Sequence, residues 1–267
     1  MRATMSERPM NPTEIRTHDG RAPAALLAVA VVIVTRNCLA ALNATVDSLL
    51  ALNDARLRPI LIDGASTDGT AERVAELGNG WAHHARSEPD RGIYDAMNKG
   101  WRAAPPDAFI LYLGAGDMVL ELPADRSLRD PAGQAIPLAL GRCAVGDMQF
   151  RSRWGVEMRL RNTAHHQAML VHKSVSPEPP FDIGLRIYGD WDFNLRMFED
   201  GIMARHVPGF RTYAEAGGVS WQHDLAEIRV VAARHGGPLI GAAAFALNQI
   251  SRWRRDRSIR NDATRPD

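Results

Sequence analysis

The stretch AALLAVAVVIVTRN at residues 24–37, followed by PILIDGASTDGT at residues 59–70, decides the fold class. Uninterrupted runs of apolar, largely β-branched residues that end in a polar loop are typical of buried strands in a parallel sheet. The first run also imitates the apolar part of a signal peptide. Because it is too short to span a bilayer and no clean cleavage site follows it, the buried strand is the favoured interpretation.

Helical and strand patterns alternate beyond these runs. Residues 38–52 carry apolar side chains at helical spacing, a second helix opens near Ala71, and residues 93–103 form a third. Short strands are predicted at residues 82–85 and 109–113. This order predicts an α/β fold with a mostly parallel central sheet and helices on both faces.

The second half of the chain has a different pattern. Residues 138–175 alternate and turn more often, which predicts a smaller antiparallel part with strands around Gly146 and Asp147. Residues 188–198 are predicted as a helix with acidic residues at its start. We divide the chain into a mobile N-terminal tail (1–23), one large domain (24–222) and a C-terminal helical extension (223–267).

Bulk composition excludes several classes of protein. The 267 residues carry 32 basic and 31 acidic side chains, a net charge of +1, which gives no support for nucleic-acid binding. Hydrophobic residues make up 45%, enough to bury a core. Because Cys38 and Cys143 are far apart, neither a disulfide framework nor a zinc site is predicted, and a reducing, cytoplasmic compartment is expected.

Polar residues gather where the predicted strands end, which is where ligands bind in such sheets. These residues are Thr35, Asn37, Asp63, Ser66, Asp68 and Asp117. An aspartate at a strand end can accept hydrogen bonds from a base or a ribose. The Ser/Thr/Asp-rich turn equally suits capping of the next helix, which is the commoner use of such residues.

The segment SEPDRGIYDAMNKG at residues 87–100 places Asp95 and Lys99 four residues apart on one helical face. This spacing fits an intrahelical ion pair worth about 0.2–0.5 kcal/mol. It also fits a polar rim for a nucleotide diphosphate, in which Lys99 or Arg91 counters phosphate charge. The pattern does not separate the two interpretations.

The segment GAGD at residues 114–117 places Asp117 directly after a buried strand. A carboxylate there can hold Mg²⁺ or Mn²⁺, which bind through few protein carboxylates plus substrate phosphates. The two glycines would allow a ligand close to the backbone. The alternative is a tight turn in which Asp117 is a turn or cap residue.

Two aspartates and a histidine pair are further candidates. Asp190 and Asp192 lie near a predicted helix N-terminus, where the helix dipole favours both, and either carboxylate could act as a general base. His165, His166 and Gln167 are predicted to lie in a strand. Because adjacent side chains of a strand point to opposite faces, the histidines are a poor metal pair, and only one of them can face a site.

Taken together, these segments resemble glycosyltransferase family 2, in the branch that acts in exopolysaccharide, colanic-acid, capsule and O-antigen assembly. The resemblance covers about residues 29–220 and depends on the order and spacing of the matching segments together. It rests on VVIVTRN (31–37), DGASTDGT (63–70), EPDRGIYDAMNKG (88–100), HQAM (166–169) and GGVS (217–220). The fold that it implies is the GT-A type.

The resemblance also implies a role for each matching residue. The donor, a nucleotide-diphosphate sugar and most commonly a UDP-sugar, would be bound by Thr35, Asn37, Asp63, Ser66, Arg91, Asp95 and Lys99. Asp117 matches the last carboxylate of the family's Mn²⁺- or Mg²⁺-binding motif, and Asp190 matches the acidic residue that deprotonates the acceptor. The motif usually carries another carboxylate immediately before the last one, and here that place is Gly116. Acceptor-side candidates are His166, Gln167 and Asp192.

The activity implied is an inverting transfer to a saccharide or lipid-linked acceptor in surface polysaccharide assembly. One alternative is a catalytically inactive module that binds nucleotide sugars, which the missing carboxylate at Gly116 makes plausible. A nucleotidyltransferase is a lesser alternative, since the segment TRNC at residues 35–38 is not the Gly- and Lys/Arg-rich loop that such enzymes carry.

The C-terminal residues 238–257 join an apolar run to a cluster of arginines beside Trp253. Such a segment suits a helix lying on the anionic inner face of the cytoplasmic membrane, where a lipid-linked acceptor would be found. The alternative is a helix packed on the core with a solvated charged end.

Overall fold

The computed structural model describes residues 25–146, 148–215 and 224–263, the last twelve of them by backbone alone. The predicted tail, Asp147 and the segment GGVS lie outside the described residues. The elements in chain order are β1 (Val29–Thr35), α1 (Leu39–Leu52), β2 (Leu57–Asp63), α2 (Thr70–Gly78), β3 (His84–Ser87), α3 (Ile93–Ala103), β4 (Phe109–Gly114), β5 (Met118–Glu121), β6 (Leu138–Val145), β7 (Met148–Arg151), β8 (Met169–His172), α4 (Gly189–Glu199), β9 (Ala204–Ala214) and α5 (Leu225–Ala263).

The strands form one sheet in the order β3-β2-β1-β4-β8-β6-β9-β5, with β7 paired to β6. Strands β1 to β4 are parallel to one another. Strand β8 joins β4 in the antiparallel sense, and the hairpin of β6 and β7 is antiparallel as well. The predicted α/β fold, with a mostly parallel sheet and a smaller antiparallel part, is confirmed.

The core lies on both faces of this sheet, because the side chains of a strand alternate between its faces. Alternate residues of β1 starting at Ala30 pack with α3, α4 and α5, and those starting at Val29 pack with α1 and α2. Helix α3 approaches β1 so closely that a Cβ at Gly100 would overlap the side chain of Val32. The glycine therefore fixes how closely α3, and the polar residues at its start, lie against the sheet.

Helix α5 bends at Gly237, whose φ of 80° is followed by Pro238. Its apolar side chains Ile228, Val231, Ala232 and Ala244 are buried against the core. By length and composition alone, Leu225–Ser251 passes the test for a helix that crosses a membrane, a test that buried core helices also pass. The predicted C-terminal helix is confirmed, whereas the division at residue 223 and the membrane contact stay predictions.

Candidate functional site

Strands β1, β2 and β4 end side by side at one edge of the sheet. Thr35 is in register with Asp63, and Val34 is in register with Gly114. The loops continue this alignment, since the Ala115 N–H donates to the Val34 carbonyl oxygen at 3.0 Å. The structure therefore brings the polar residues that follow these strands to a common edge.

Asp63 is fully buried and organises the loop after β2. Its carboxylate accepts hydrogen bonds from the Ser66 N–H at 2.9 Å, the Ser66 hydroxyl, and the Ser87 hydroxyl at 2.6 Å. The Asn37 N–H donates to Ser66 Oγ at 2.7 Å, and Asn37 Oδ1 accepts the Thr67 N–H at 2.8 Å. Because a carboxylate offers about four acceptor positions, Asp63 retains capacity for one more donor.

Asp68 stabilises the start of α2 from the position before its N-cap residue, Gly69. Its carboxylate accepts the Thr70 N–H at 3.1 Å and the Thr70 hydroxyl at 2.6 Å, and it also accepts the Leu39 N–H at 3.3 Å. The hydrogen bond from the Thr70 side chain lowers the pKa of Asp68. Asp68 therefore holds the starts of α1 and α2 together.

Lys99 and Asp95 lie on one face of α3, but Lys99 makes its closest contacts elsewhere. Its Nζ lies 2.7 Å from the Pro89 carbonyl oxygen and 3.1 Å from Glu88 Oε1, compared with 3.9 Å from Asp95 Oδ2. The Arg91 side chain is 74% exposed and lies 3.7 Å from Asp95 Oδ1. Lys99 therefore fixes the loop after β3, and the guanidinium of Arg91 is accessible to a ligand phosphate.

Asp117 is buried in the turn between β4 and β5. Its Oδ2 accepts the Gly114 N–H at 2.8 Å, and its Oδ1 accepts the Glu215 N–H at 3.2 Å. Burial raises the pKa of Asp117, and this outweighs the opposing effects of these bonds, of the His166 charge and of a hydrogen bond from Gln167. Among the described residues no Lys or Arg forms an ion pair with Asp117, so its charge lacks a strong counterion.

Asp190 lies in the first turn of α4 and is 9% exposed. Its Oδ2 lies 3.1 Å from His166 Nδ1 and accepts the Asn162 amide N–H at 3.1 Å, while its Oδ1 accepts the Trp191 N–H at 2.8 Å. Burial lowers the pKa of His166, but the hydrogen bond with Asp190 and the charges of Asp190 and Asp117 outweigh it, so the pKa is raised. His166 therefore contacts Asp190 and is also affected by the charge of Asp117.

The prediction of a strand at the histidine pair is wrong. His166–Ala168 form a turn of 3-10 helix, and β8 begins only at Met169. The turn directs His166 towards Asp190, whereas His165 stacks against Phe150 with ring centroids 4.8 Å apart. A tertiary contact, which periodicity does not reveal, thus overrides the local alternation.

Asp192 is not brought together with these residues. It is 1% exposed and forms ion pairs with Arg196 at 3.0 Å, Arg234 at 2.6 Å and His235 at 3.1 Å. The contacts with Arg234 and His235 join α4 to α5. The geometry therefore favours Asp190 over Asp192 as the carboxylate next to an acceptor.

Two residues that the sequence did not single out contact the site. Asn162 donates to Asp190, and Glu215 donates its backbone N–H to Asp117 from a position 98 residues later in the chain. No local pattern marks either residue. By contrast, Glu88 and Lys99 both lie in the segment EPDRGIYDAMNKG (88–100), so their ion pair could have been predicted from the sequence.

Comparisons with known proteins show the family to which the chain belongs. The model of the family "Glycosyl transferase family 2" matches residues 30–121. The "PGL/p-HBAD biosynthesis glycosyltransferase" of Mycobacterium tuberculosis is 32% identical over 207 residues, which cover 71% of this chain and 78% of that protein. The chain belongs to glycosyltransferase family 2 and is a glycosyltransferase. The exopolysaccharide branch stays a prediction, since this relative is named for PGL/p-HBAD biosynthesis.

Solved structures show the same fold at low identity. TarS 1–349 of S. aureus in complex with UDP-GlcNAc matches with a TM-score of 0.58 and 14% identity, over 77% of this chain and 65% of that one. The mannosyltransferase PcManGT from Pyrobaculum calidifontis, in complex with GDP-Man and Mn²⁺, matches with a TM-score of 0.53 and 18% identity, over 80% and 63%. The chain thus spans less than two thirds of the length of either protein. The similarity of the structures confirms the predicted GT-A type of fold.

Proposed function

We propose that this glycosyltransferase transfers a sugar, with inversion, from a UDP-sugar or related donor to a saccharide or lipid-linked acceptor in the assembly of a cell-surface glycan. The observation that carries the proposal is the link through His166. His166 contacts Asp190 directly, and the charge of Asp117, at the edge of the sheet, also acts on it. A donor bound along that edge would present its anomeric carbon near Asp190.

The nucleotide would bind over the loops that follow β1, β2 and β3. Thr35, Asn37, Asp63 and Ser66 surround the nucleoside in this proposal, with Asp63 accepting a hydrogen bond from the base or the ribose. Arg91 counters the charge of the diphosphate, while Asp95 and Lys99 hold the loop that carries it. The complexes of TarS with UDP-GlcNAc and of PcManGT with GDP-Man support a nucleotide sugar as the donor.

Asp190 would act as the general base. Its carboxylate accepts the proton of the acceptor hydroxyl as that oxygen attacks the anomeric carbon, and the sugar–diphosphate bond breaks on the opposite face. His166 and Asn162 fix one carboxylate oxygen by bonds of 3.1 Å each, so the orientation of Asp190 is set before substrate arrives. A single displacement of this kind inverts the anomeric configuration. Gln167, whose side-chain hydrogen bond lowers the pKa of Asp117, would belong to the acceptor side together with His166.

A divalent cation fits the donor set at Asp117. Within residues 25–146, 148–215 and 224–263, His, Cys, Asp and Glu form no cluster of three or more that could hold a metal. Mg²⁺ and Mn²⁺ nevertheless bind through one or two carboxylates plus substrate phosphates, and Asp117 is a buried carboxylate that forms no ion pair with a Lys or Arg of the described chain. When bound, such an ion would neutralise charge on the departing diphosphate.

The proposal is tested by assaying transfer from a panel of UDP- and GDP-sugars with Mn²⁺, using the wild-type chain and Asp190→Asn. An amide cannot accept the proton, so we expect transfer to fall by about 10²–10⁴-fold while donor binding is retained. Asp200→Asn, an exposed aspartate at the end of the same helix, is the matched control and should transfer normally.

The competing candidate is Asp192→Asn, which we expect to destabilise the protein through its lost ion pairs and to leave transfer by the folded fraction. Normal transfer by folded Asp190→Asn would refute the assignment of the base. A wild-type chain that binds UDP but transfers and hydrolyses no donor would instead favour the inactive binding module.

A further inference from the structure

The missing carboxylate at position 116 has a backbone cause. Gly116 has a φ of 101°, a conformation that L-residues rarely adopt, and its N–H donates to Thr45 Oγ1 at 2.9 Å and to the Ala41 carbonyl oxygen at 3.1 Å. These bonds hold the turn in this shape. An aspartate at position 116 would therefore be strained, and the usual local source of a second carboxylate is closed to this chain.

The space beside Gly116 is filled by another carboxylate. A Cβ built at position 116 would overlap Oε2 of Glu215 and would lie 3.4 Å from its Cδ. Glu215 follows the last residue of β9, and its backbone N–H donates to Asp117 Oδ1 at 3.2 Å. Its side chain thus folds back over Gly116, where the side chain of the usual motif residue would begin.

The carboxylate of Glu215 is available for a ligand. It is exposed, and within the described residues it forms no ion pair and accepts no hydrogen bond. The Glu215 carboxylate therefore lies beside Gly116, next to Asp117 in the chain, and within the described residues no Lys or Arg forms an ion pair with either carboxylate. A divalent cation bound to both would compensate their charge.

We propose that Glu215 supplies the second carboxylate of the metal site, so that Asp117 and Glu215 hold the divalent cation together. The inference rests on the proposed function, which places the cation at Asp117. Gly116 and Glu215 act as a pair, because a side chain at position 116 would exclude the Glu215 carboxylate from this position. Glu215, which follows β9, would thus replace the carboxylate that the motif usually carries at position 116.

The test measures Mn²⁺ binding directly, by the loss of the EPR signal of free Mn²⁺ on titration with protein, with and without UDP. We expect Glu215→Gln and Glu215→Ala to raise the Kd for Mn²⁺ at least about tenfold, as loss of a group that supports a metal does. Glu121→Gln is the matched control, since Glu121 lies at the end of β5 that is farther from Asp117. Its Oε2 lies 3.9 Å from Nη1 of Arg211. This variant should bind Mn²⁺ as the wild type does.

The outcomes separate the inference from the function on which it rests. Wild-type affinity in both Glu215 variants, together with loss of binding in Asp117→Asn, would overturn the role of Glu215 and leave the metal site at Asp117. A wild-type chain that binds no Mn²⁺ even with UDP would overturn both metal assignments. Absence of UDP binding in calorimetry, with or without Mn²⁺, would refute the proposed donor site itself. Melting temperatures of all variants confirm that each is folded.

Discussion

The position of the candidate base depends on a carboxylate in the C-terminal helix. Glu227, in the first turn of α5, accepts three successive backbone N–H groups: Arg186 at 2.5 Å, Ile187 at 2.8 Å and Tyr188 at 2.8 Å. Helix α4 begins at the next residue. Glu227 thus fixes the chain that leads into α4, and Asp190 is one turn away.

The expected cost of Glu227→Ala follows from these contacts. A hydrogen bond to a charged group contributes about 1.5–3 kcal/mol, but the three N–H groups lie near the surface and water replaces part of the loss, so we expect about 2 kcal/mol in total. For a chain of this size, that loss lowers the Tm by about 4–8 °C. Because displacement of a base by about 1 Å costs about 10²-fold in rate, we expect kcat to fall by about 10–100-fold.

The assay compares Tm and kcat for Glu227→Ala with those of Asp54→Ala. Asp54 also accepts several hydrogen bonds, from the Arg56 side chain and its N–H, but it precedes β2 at the edge of the sheet opposite the site. We expect Asp54→Ala to lower the Tm with no change in kcat. Both variants are assayed under conditions in which they are folded. If the kcat of Glu227→Ala is then as close to the wild-type value as that of Asp54→Ala, α5 does not position the base and the reasoning is wrong.

Two further predictions concern α5. Burial lowers the pKa of His235, but its hydrogen bonds with Asp192 and Glu199 outweigh burial, so the pKa is raised. The folded state therefore favours the protonated form of His235. This stabilisation is therefore complete below the ordinary histidine pKa and is lost as the pH rises through the raised pKa. Over that pH range the urea midpoint of the wild type should fall more than the urea midpoint of His235→Gln. Parallel curves for the two proteins would contradict this prediction. The segment 238–257 should carry full-length protein into the pellet with anionic liposomes at low salt, whereas a truncation after Gly237 should stay in the supernatant; equal behaviour of the two proteins would exclude the membrane contact.

The sequence predicted the order and the type of the elements in the first half of the fold, although the starts of β1, β2 and β3 differ from the predicted bounds by two to five residues. Helix α3 has the predicted bounds of 93 and 103, because the turn at Gly92 and the Pro105–Pro106 pair limit an amphipathic pattern. The apolar runs of β1 and β4 are likewise strands. In these segments local propensity, periodicity and turn residues all favour the same structure.

The remaining features depend on contacts between residues that are distant in the chain. The turn at His166 forms against Asp190, and Asp192 is occupied by Arg234 and His235 of α5. The approach of Glu215 to Gly116 joins the residue that follows β9 to the turn between β4 and β5. Periodicity describes one element at a time, so it could identify the candidate aspartates but could not show which of them have free acceptor positions.

Strand β5 has a consequence for the order in which the protein is made. It follows β4 after only three residues, yet within the described sheet it pairs with β9 alone, Met118 being in register with Tyr213. At about 5–20 residues per second, a ribosome needs roughly 5–20 s to pass from the end of β5 to the end of β9. We expect the parallel strands of the nucleotide side to form during that interval, while β5 has no partner. The turn that carries Asp117 can already bind to α1 through Gly116 and Val119, but β5 gains its partner strand only when β9 has been made.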